Sequence, residues 1–241
     1  MTRANLELER ISKRDDPEIA IGAAFIFNLK QPVSVPHYDA RFPTNATLGL
    51  WAKQNSPESV IDLDKPSWGE SVIGAALGVY DVAQICHNHF HRLATLPGGW
   101  GMVGPLTPGE KELREPDELF RRTNSQYYHW LNCGIRMGVS GGSAMGVMPV
   151  PLGFSRTYAR VEGALTPAKF WAAVKAGKTF ATSGPMLTLL VGGQEMGATL
   201  QRAADATAPL EVKVRLQSQE TIQSVELVEN GESVRQESPA R

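Results

Sequence analysis

Residues 59–89 read SVIDLDKPSWGESVIGAALGVYDVAQICHNH and carry a clear secondary-structure pattern. Residues 59–64 alternate and are rich in β-forming side chains, which predicts a strand. Residues 68–77 have apolar side chains at helical spacing, and Gly78 is a typical helix terminator. Residues 80–89 predict the next strand. A strand, a helix and a second strand in this order indicate a βα unit of a parallel sheet, and therefore an α/β fold.

The same alternation extends on both sides of this unit. The continuous apolar run at residues 19–29 predicts a strand buried on both faces. Thr44 or Asn45 can cap a helix that runs to about residue 54, and a Thr-Pro pair caps another at 168–176. Residues 1–14 predict a short helix. The other elements predicted here are a helix at 124–133 and strands at 135–140 and 156–161.

The pattern changes after Gly184 and Pro185. Short strands are predicted with no helix between them, and Asn230-Gly231 is a hairpin turn signal. These strands are residues 186–191, 210–216, 222–228 and 232–236. We therefore expect an α/β domain over residues 1–184 and a small β-sandwich-like segment over 185–241, which ends early for a complete sandwich.

Composition excludes several classes of function. The 241 residues include 24 Lys and Arg against 25 Asp and Glu, a net charge of −1, which argues against a nucleic-acid-binding surface. The longest apolar run, residues 19–29, is shorter than the ~20 residues of a membrane span. The acidic N-terminus is not typical of a signal peptide. Two cysteines make no disulfide framework. We expect no nucleic-acid or membrane partner, and a cytoplasmic location by default.

Three of the five histidines, His87, His89 and His91, alternate at the end of the strand predicted at 80–89. If the strand continued through them, they would share one face at its carboxyl end, where functional groups gather in α/β sheets. Imidazoles on one face suit a divalent metal such as Zn, Mn or Fe. The alternative is a polar loop whose histidines bond to backbone. The neighbouring Arg92 is a candidate for holding negative charge on a substrate.

Asp62 and Asp64 alternate on the preceding predicted strand. Asp62 is a candidate metal ligand, and Asp64 is a candidate catalytic acid or base. The alternative is a structural role, in which these carboxylates cap the next helix or pair with Lys65 or Arg92.

A G-x-S-x-G pattern at residues 138–142 places Ser140 after a predicted strand, as in a nucleophile elbow. Hydrolases of that class need a histidine later in the chain, and none follows His129. A tight βα turn is the interpretation we favour.

Several sequence segments together resemble those of one family, the carbaryl-hydrolase-like branch of the PHP (polymerase and histidinol phosphatase) metallohydrolases. They are IDLDK at residues 61–65, Asn88-His89 followed by Arg92, YHWLNCG at 128–134, Gly142-Ser143-Ala144 and AGKTFATSGP at 176–185. The resemblance covers about residues 20–200. It implies a distorted β/α barrel, a cluster of divalent metals that hydrolyses esters or phosphoesters, and an extra β-domain after the barrel.

The chain also departs from that family. The opening His-x-His on the first barrel strand has no counterpart, so the chain resembles a barrel without its N-terminal half. Ala23 falls where a histidine is expected, Pro66 replaces the histidine after Asp-Leu-Asp-Lys, and Ala144 replaces the aspartate of Gly-Ser-Asp. A multi-metal centre needs several such donors.

The resemblance and the missing metal ligands leave two alternative functions for the chain. The first is a catalytically degenerate binding or structural module that presents the loops at 93–118 to a small-molecule ligand or a partner. The second is a metal-dependent ester or phosphoester hydrolase that uses His87, His89 and His91, with Asp62 or Asp64. Missing barrel strands would leave an open sheet edge, covered by residues 1–18, by the C-terminal strands or by a second copy in a homodimer.

Overall fold

The computed structural model describes residues 4–11, 20–33, 42–88, 116–144 and 151–239. The helices within these residues are α1 (Asn45–Asn55), α2 (Ser71–Ala76), α3 (Pro116–Asn132) and α4 (Pro167–Lys175). The strands are β1 (Ala4–Ile11), β2 (Ala20–Leu29), β3 (Val60–Leu63), β4 (Val82–Cys86), β5 (Gly138–Gly141), β6 (Arg156–Ala159), β7 (Thr179–Thr182), β8 (Met186–Val191), β9 (Gln194–Glu195), β10 (Val212–Gln217), β11 (Val225–Glu229) and β12 (Glu232–Glu237).

The first five strands form one sheet in the order β1-β2-β3-β4-β5. The pairs β3–β4 and β4–β5 are parallel, whereas β1–β2 and β2–β3 are antiparallel. The α/β class is confirmed, but the expectation of a mostly parallel sheet is wrong. An apolar run indicates that a strand is buried, but it does not indicate whether the strand pairs parallel or antiparallel to its neighbours. The described strands do not close into a barrel, and the PHP-like barrel stays a prediction.

β1 stands where a helix was predicted over residues 1–14. Its sequence, ANLELERI, alternates with a period of two, which is the period of a strand. Leu6 and Leu8 pack against the core, and Glu7 and Glu9 lie on the opposite face. The helix prediction is wrong because β1 pairs with β2 along its length, and this pairing outweighs local preference. Residues 4–11 therefore cover the β2 edge of the sheet, one of the three coverings expected.

Both faces of the sheet are covered, but differently. Helices α1, α2 and α3 bury the first face, with residues such as Ile26, Ile61 and Trp130 in its core. Helix α4 covers only part of the second face, where Val174 packs against Val60 and Val82. The rest of the second face is therefore free to carry polar side chains.

Side chains cover the other edge of the sheet, at β5. Strands β6 and β7, which α4 connects, form an antiparallel pair beside it. The Thr157 hydroxyl accepts from the Gly141 amide (2.9 Å) and donates to the Gly141 carbonyl (3.1 Å). Thr179 bonds to the amide and carbonyl of Val139 in the same way. These two threonines satisfy backbone groups that a sixth ladder strand would otherwise pair.

The C-terminal segment is β-rich, as predicted. Strands β10, β8 and β9 form one sheet, and β11 and β12 form a hairpin. The hairpin turns at Asn230 (φ 54°) and Gly231 (φ 88°), which confirms the turn predicted there. Every residue of β12 is exposed, so these sheets have little core of their own. Their packing as a sandwich stays a prediction.

None of the helices in the described residues has the length and apolar character needed to cross a membrane.

Candidate functional site

Polar side chains gather on the second sheet face, beyond the part that α4 covers. Asp62 lies two residues after Val60 on the same face of β3, and Gln84 pairs in register with Ser140 across β4 and β5. Lys65 and Asp64 follow directly after β3. We call these residues, Asp62, Asp64, Lys65, Gln84 and Ser140, the polar cluster. Each is no more than 6% exposed, so the cluster is buried at the carboxyl ends of β3, β4 and β5.

Asp62 is the centre of the polar cluster. The Ser140 hydroxyl donates to its Oδ1 at 2.7 Å. Burial raises the pKa of Asp62 from 3.8 to about 7, with a further rise from the Asp64 carboxylate. Hydrogen bonds from Ser140 and Gln84, and the charge of Lys65, oppose that rise. A carboxyl group with a pKa near 7 can hold or release a proton at neutral pH.

Asp64 forms a buried ion pair. Its Oδ2 contacts the Nζ of Lys65, and the two side chains are 9% and 4% exposed. The Asp64 amide donates to the Ala23 carbonyl on β2 at 3.1 Å. This confirms the prediction that a carboxylate at this strand end pairs with Lys65. The Lys65 ammonium therefore supplies positive charge inside the cluster.

Glu7 of β1 lies on the same face of the sheet as Asp62, closer to the edge of the sheet. Glu7 pairs with Phe25, and Phe25 pairs with Asp62, so the three side chains share one face. Burial raises the pKa of Glu7, and the Asp64 and Glu9 carboxylates raise it further, while Lys65 lowers it. Sequence reasoning missed Glu7 because residues 1–14 were assigned to a helix. The period-two pattern of ANLELERI was the signal that could have found it.

His87 does not lie on a continuing strand. Strand β4 ends at Cys86, so the strand expected to run through residues 87–91 does not include His87. His87 is 1% exposed and follows directly on β4. His89, His91 and Arg92 lie outside the described residues. Their predicted roles in metal binding and in holding negative charge stay predictions.

The described part of the chain contains no group of three or more His, Cys, Asp and Glu side chains that could hold a metal ion. Asp62 accepts a bond from Ser140, and Asp64 is paired with Lys65. These carboxylates are therefore already bonded to groups of the protein itself.

A thiol lies at the end of β4, on the side of the paired strands β6 and β7. The Cys86 Sγ donates to the Ser155 Oγ at 3.4 Å. The Ser143 hydroxyl donates to the Ser155 carbonyl and accepts from the Ser155 amide. Burial raises the pKa of Cys86, and the Ser155 bond and the Arg156 charge lower it. This buried thiol is a structural contact and not an exposed nucleophile.

Replacing Ser140 with alanine should raise the pKa of Asp62 above its present value, because the bond that favours the charged carboxylate is lost. The lost bond to a charged group should cost about 1.5–3 kcal/mol of unfolding free energy at pH 8. A carbon-detected NMR titration of the Asp62 carboxyl measures the pKa. Ser143→Ala, which removes a buried hydroxyl bonded to Ser155, is the matched control and should leave it unchanged. An unaltered Asp62 pKa in Ser140→Ala would show that the Ser140 hydroxyl does not stabilise the charged Asp62 carboxylate.

No protein-family model matches the chain, and comparisons with curated proteins and with solved structures give no match either.

Proposed function

We propose that the chain is a PHP-like domain that acts as a binding or structural module and does not catalyse metal-dependent hydrolysis. The observation that carries the proposal is the buried contact between Lys65 and Asp64. A metal centre at this position would need both aspartates as free anionic donors. Here an ammonium group neutralises one, and the other accepts a hydrogen bond from the Ser140 hydroxyl.

The positions at which the resembled family has metal ligands support this proposal. Ala23, at an expected histidine position, is 1% exposed and packs against the buried indole of Trp68. Its carbonyl bonds to the Asp64 amide, so this apolar contact lies beside the polar cluster. Pro66, at the second expected histidine position, is also fully buried. Neither side chain has a donor atom for a metal.

Ala144, at the expected aspartate position, has a φ of 46°. Aspartate and asparagine adopt this left-handed backbone conformation more readily than alanine does. The local backbone therefore has a shape that suits an aspartate, while the side chain that would coordinate a metal is lacking.

The alternative is a metal-dependent ester or phosphoester hydrolase that uses His87, His89 and His91. One observation favours it: His87 follows β4, which lies beside the strand that carries Asp62. An imidazole and a carboxylate thus leave neighbouring strands at the same end of the sheet. In this alternative the two residues would hold the metal together with His89 and His91.

Hydrolysis assays distinguish the two functions. The purified chain is incubated with p-nitrophenyl acetate and with bis-p-nitrophenyl phosphate, with added Zn²⁺, Mn²⁺ or Fe²⁺ and with a chelator. The proposal predicts rates equal to the protein-free blank in every condition. Turnover that requires a metal and is lost in His87→Ala, but kept in the control His129→Ala, would support the hydrolase. His129 is an exposed histidine on α3.

The homodimer through an open sheet edge remains a proposal, and β1 is the edge that it would use. Among the described strands, β1 pairs only with β2, which leaves its outer backbone groups available to another strand. Light scattering coupled to size-exclusion chromatography should give twice the chain mass of 26.2 kDa. A mass of one chain at micromolar concentration would contradict it.

A further inference from the structure

We propose that the cleft between α3 and the β11–β12 hairpin binds a small amphoteric molecule, one with an anionic and a cationic group about 10 Å apart. The class includes short peptides with free termini and long ω-amino acids. This site is separate from the polar cluster and does not depend on the function proposed above.

The cleft is built from one helix face and one hairpin face. Arg121, Ser125 and Tyr128 are spaced four and three residues apart on α3, which places them on one side of the helix. Glu226 lies on β11, and Ser224, which directly precedes that strand, lines the same cleft. The cleft is open to solvent and has a volume of about 630 Å³. Ligand pockets in proteins commonly have this size.

Two contacts fix the β11–β12 hairpin against α3. The Asn132 side chain donates to the Asn230 carbonyl at 2.8 Å. A Cβ at Gly231 would lie 3.3 Å from the Cβ of Tyr128, so the hairpin turn packs closely on the helix. The cavity is therefore preformed by the fold.

The cleft is lined by side chains of opposite charge, Arg121 on α3 and Glu226 on β11. Burial raises the pKa of Tyr128, and the nearby Glu226 carboxylate raises it further. Arg121 precedes Tyr128 by seven residues, or about 10 Å along the helix axis. No ion pair joins Arg121 to Glu226 within the described residues. A ligand with a carboxylate at one end and an ammonium at the other would complement both.

A second cavity, of about 470 Å³, provides a contrast. Its two cationic side chains are already bonded to the protein. Arg136 donates to Thr199, and Lys175 donates to the carbonyls of Pro57 and Ser59. The charges of the α3 cleft have no such partners in the described structure, which is why the inference is drawn for that cleft.

Isothermal titration calorimetry with triglycine tests the proposal, since an extended tripeptide spans about 10 Å. Triglycine should bind with a dissociation constant in the millimolar range or below. N-acetyltriglycine, which has no cation, and triglycine amide, which has no anion, should bind at least tenfold more weakly. Arg121→Gln and Glu226→Gln should each weaken triglycine binding at least tenfold. Both residues are exposed, so the fold should be kept, and circular dichroism checks this.

Glu229→Gln is the matched control, since it removes an exposed carboxylate from the same strand at a position outside the cleft. It should leave triglycine binding unchanged. The proposal is overturned if triglycine gives no binding heat at millimolar concentration, or if the capped peptides bind as tightly as triglycine. Equal weakening by Glu229→Gln and Glu226→Gln would also overturn it.

Discussion

Replacing Lys65 with methionine should reduce the unfolding free energy by about 3–5 kcal/mol. The substitution keeps most of the buried aliphatic stem but removes the ammonium group that contacts Asp64. Both side chains of this pair are nearly inaccessible to water. The Asp64 carboxylate is then left without its counter-ion in a place where water cannot replace it. Urea denaturation at pH 8 measures the loss.

Two variants control this experiment. Lys30→Met removes an exposed lysine that contacts Glu58 at 3.5 Å, and it should cost less than about 1 kcal/mol. The double variant Asp64→Asn/Lys65→Met removes both charges and should recover most of the lost stability. A loss below about 1 kcal/mol for Lys65→Met would show that the ion pair is not buried in solution, and the proposed function would lose its main support.

The stability of the chain should fall as the pH rises from about 4 to about 7, because of Asp62. Below pH 3.8 its carboxyl is protonated in both folded and unfolded chains. Between 3.8 and about 7 the folded chain keeps the proton while the unfolded chain releases it. The folded state then binds more protons, so its stability decreases with rising pH. The full change amounts to about 4 kcal/mol.

Asp62→Asn isolates this contribution, because the amide does not titrate. Urea denaturation of both proteins from pH 4 to pH 8 gives the difference in unfolding free energy between wild type and variant. That difference should move by about 4 kcal/mol in favour of the variant across this interval. The charged neighbours of Asp62 are Asp64 and Lys65, and Glu7 lies further away on the same sheet face. All three remain in both proteins. A difference independent of pH would mean that Asp62 has the same pKa in the folded and unfolded chains.

The sequence contained good signals for the elements that depend on local chemistry. Thr44 caps α1 by accepting from the Thr47 amide at 3.0 Å, and Thr166 caps α4 by accepting from the Lys169 amide at 3.3 Å. Thr166 was predicted as a cap, and Thr44 was one of two candidates with Asn45, since a cap uses residues three positions apart. The unit β3-α2-β4 was also predicted, although α2 is shorter than the helical pattern at residues 68–77.

The parts that depend on distant residues were not predictable in the same way. The direction of β2 is set by its neighbours, and its apolar sequence suits either direction. The bond between Ser140 and Asp62 joins residues 78 positions apart, and only the order of the strands brings them together. Ser140 was weighed as a nucleophile from a local pattern, whereas in the structure its hydroxyl donates to a buried carboxyl.

Metal analysis of the purified chain tests the central claim most directly. The protein is produced in medium supplemented with zinc, manganese and iron, exchanged into metal-free buffer and measured by plasma mass spectrometry beside His89→Ala. If Lys65 provides the positive charge that a cation would otherwise supply to the aspartates, both proteins should contain less than about 0.1 ion per chain. About one ion or more per chain, lost in His89→Ala, would contradict the account.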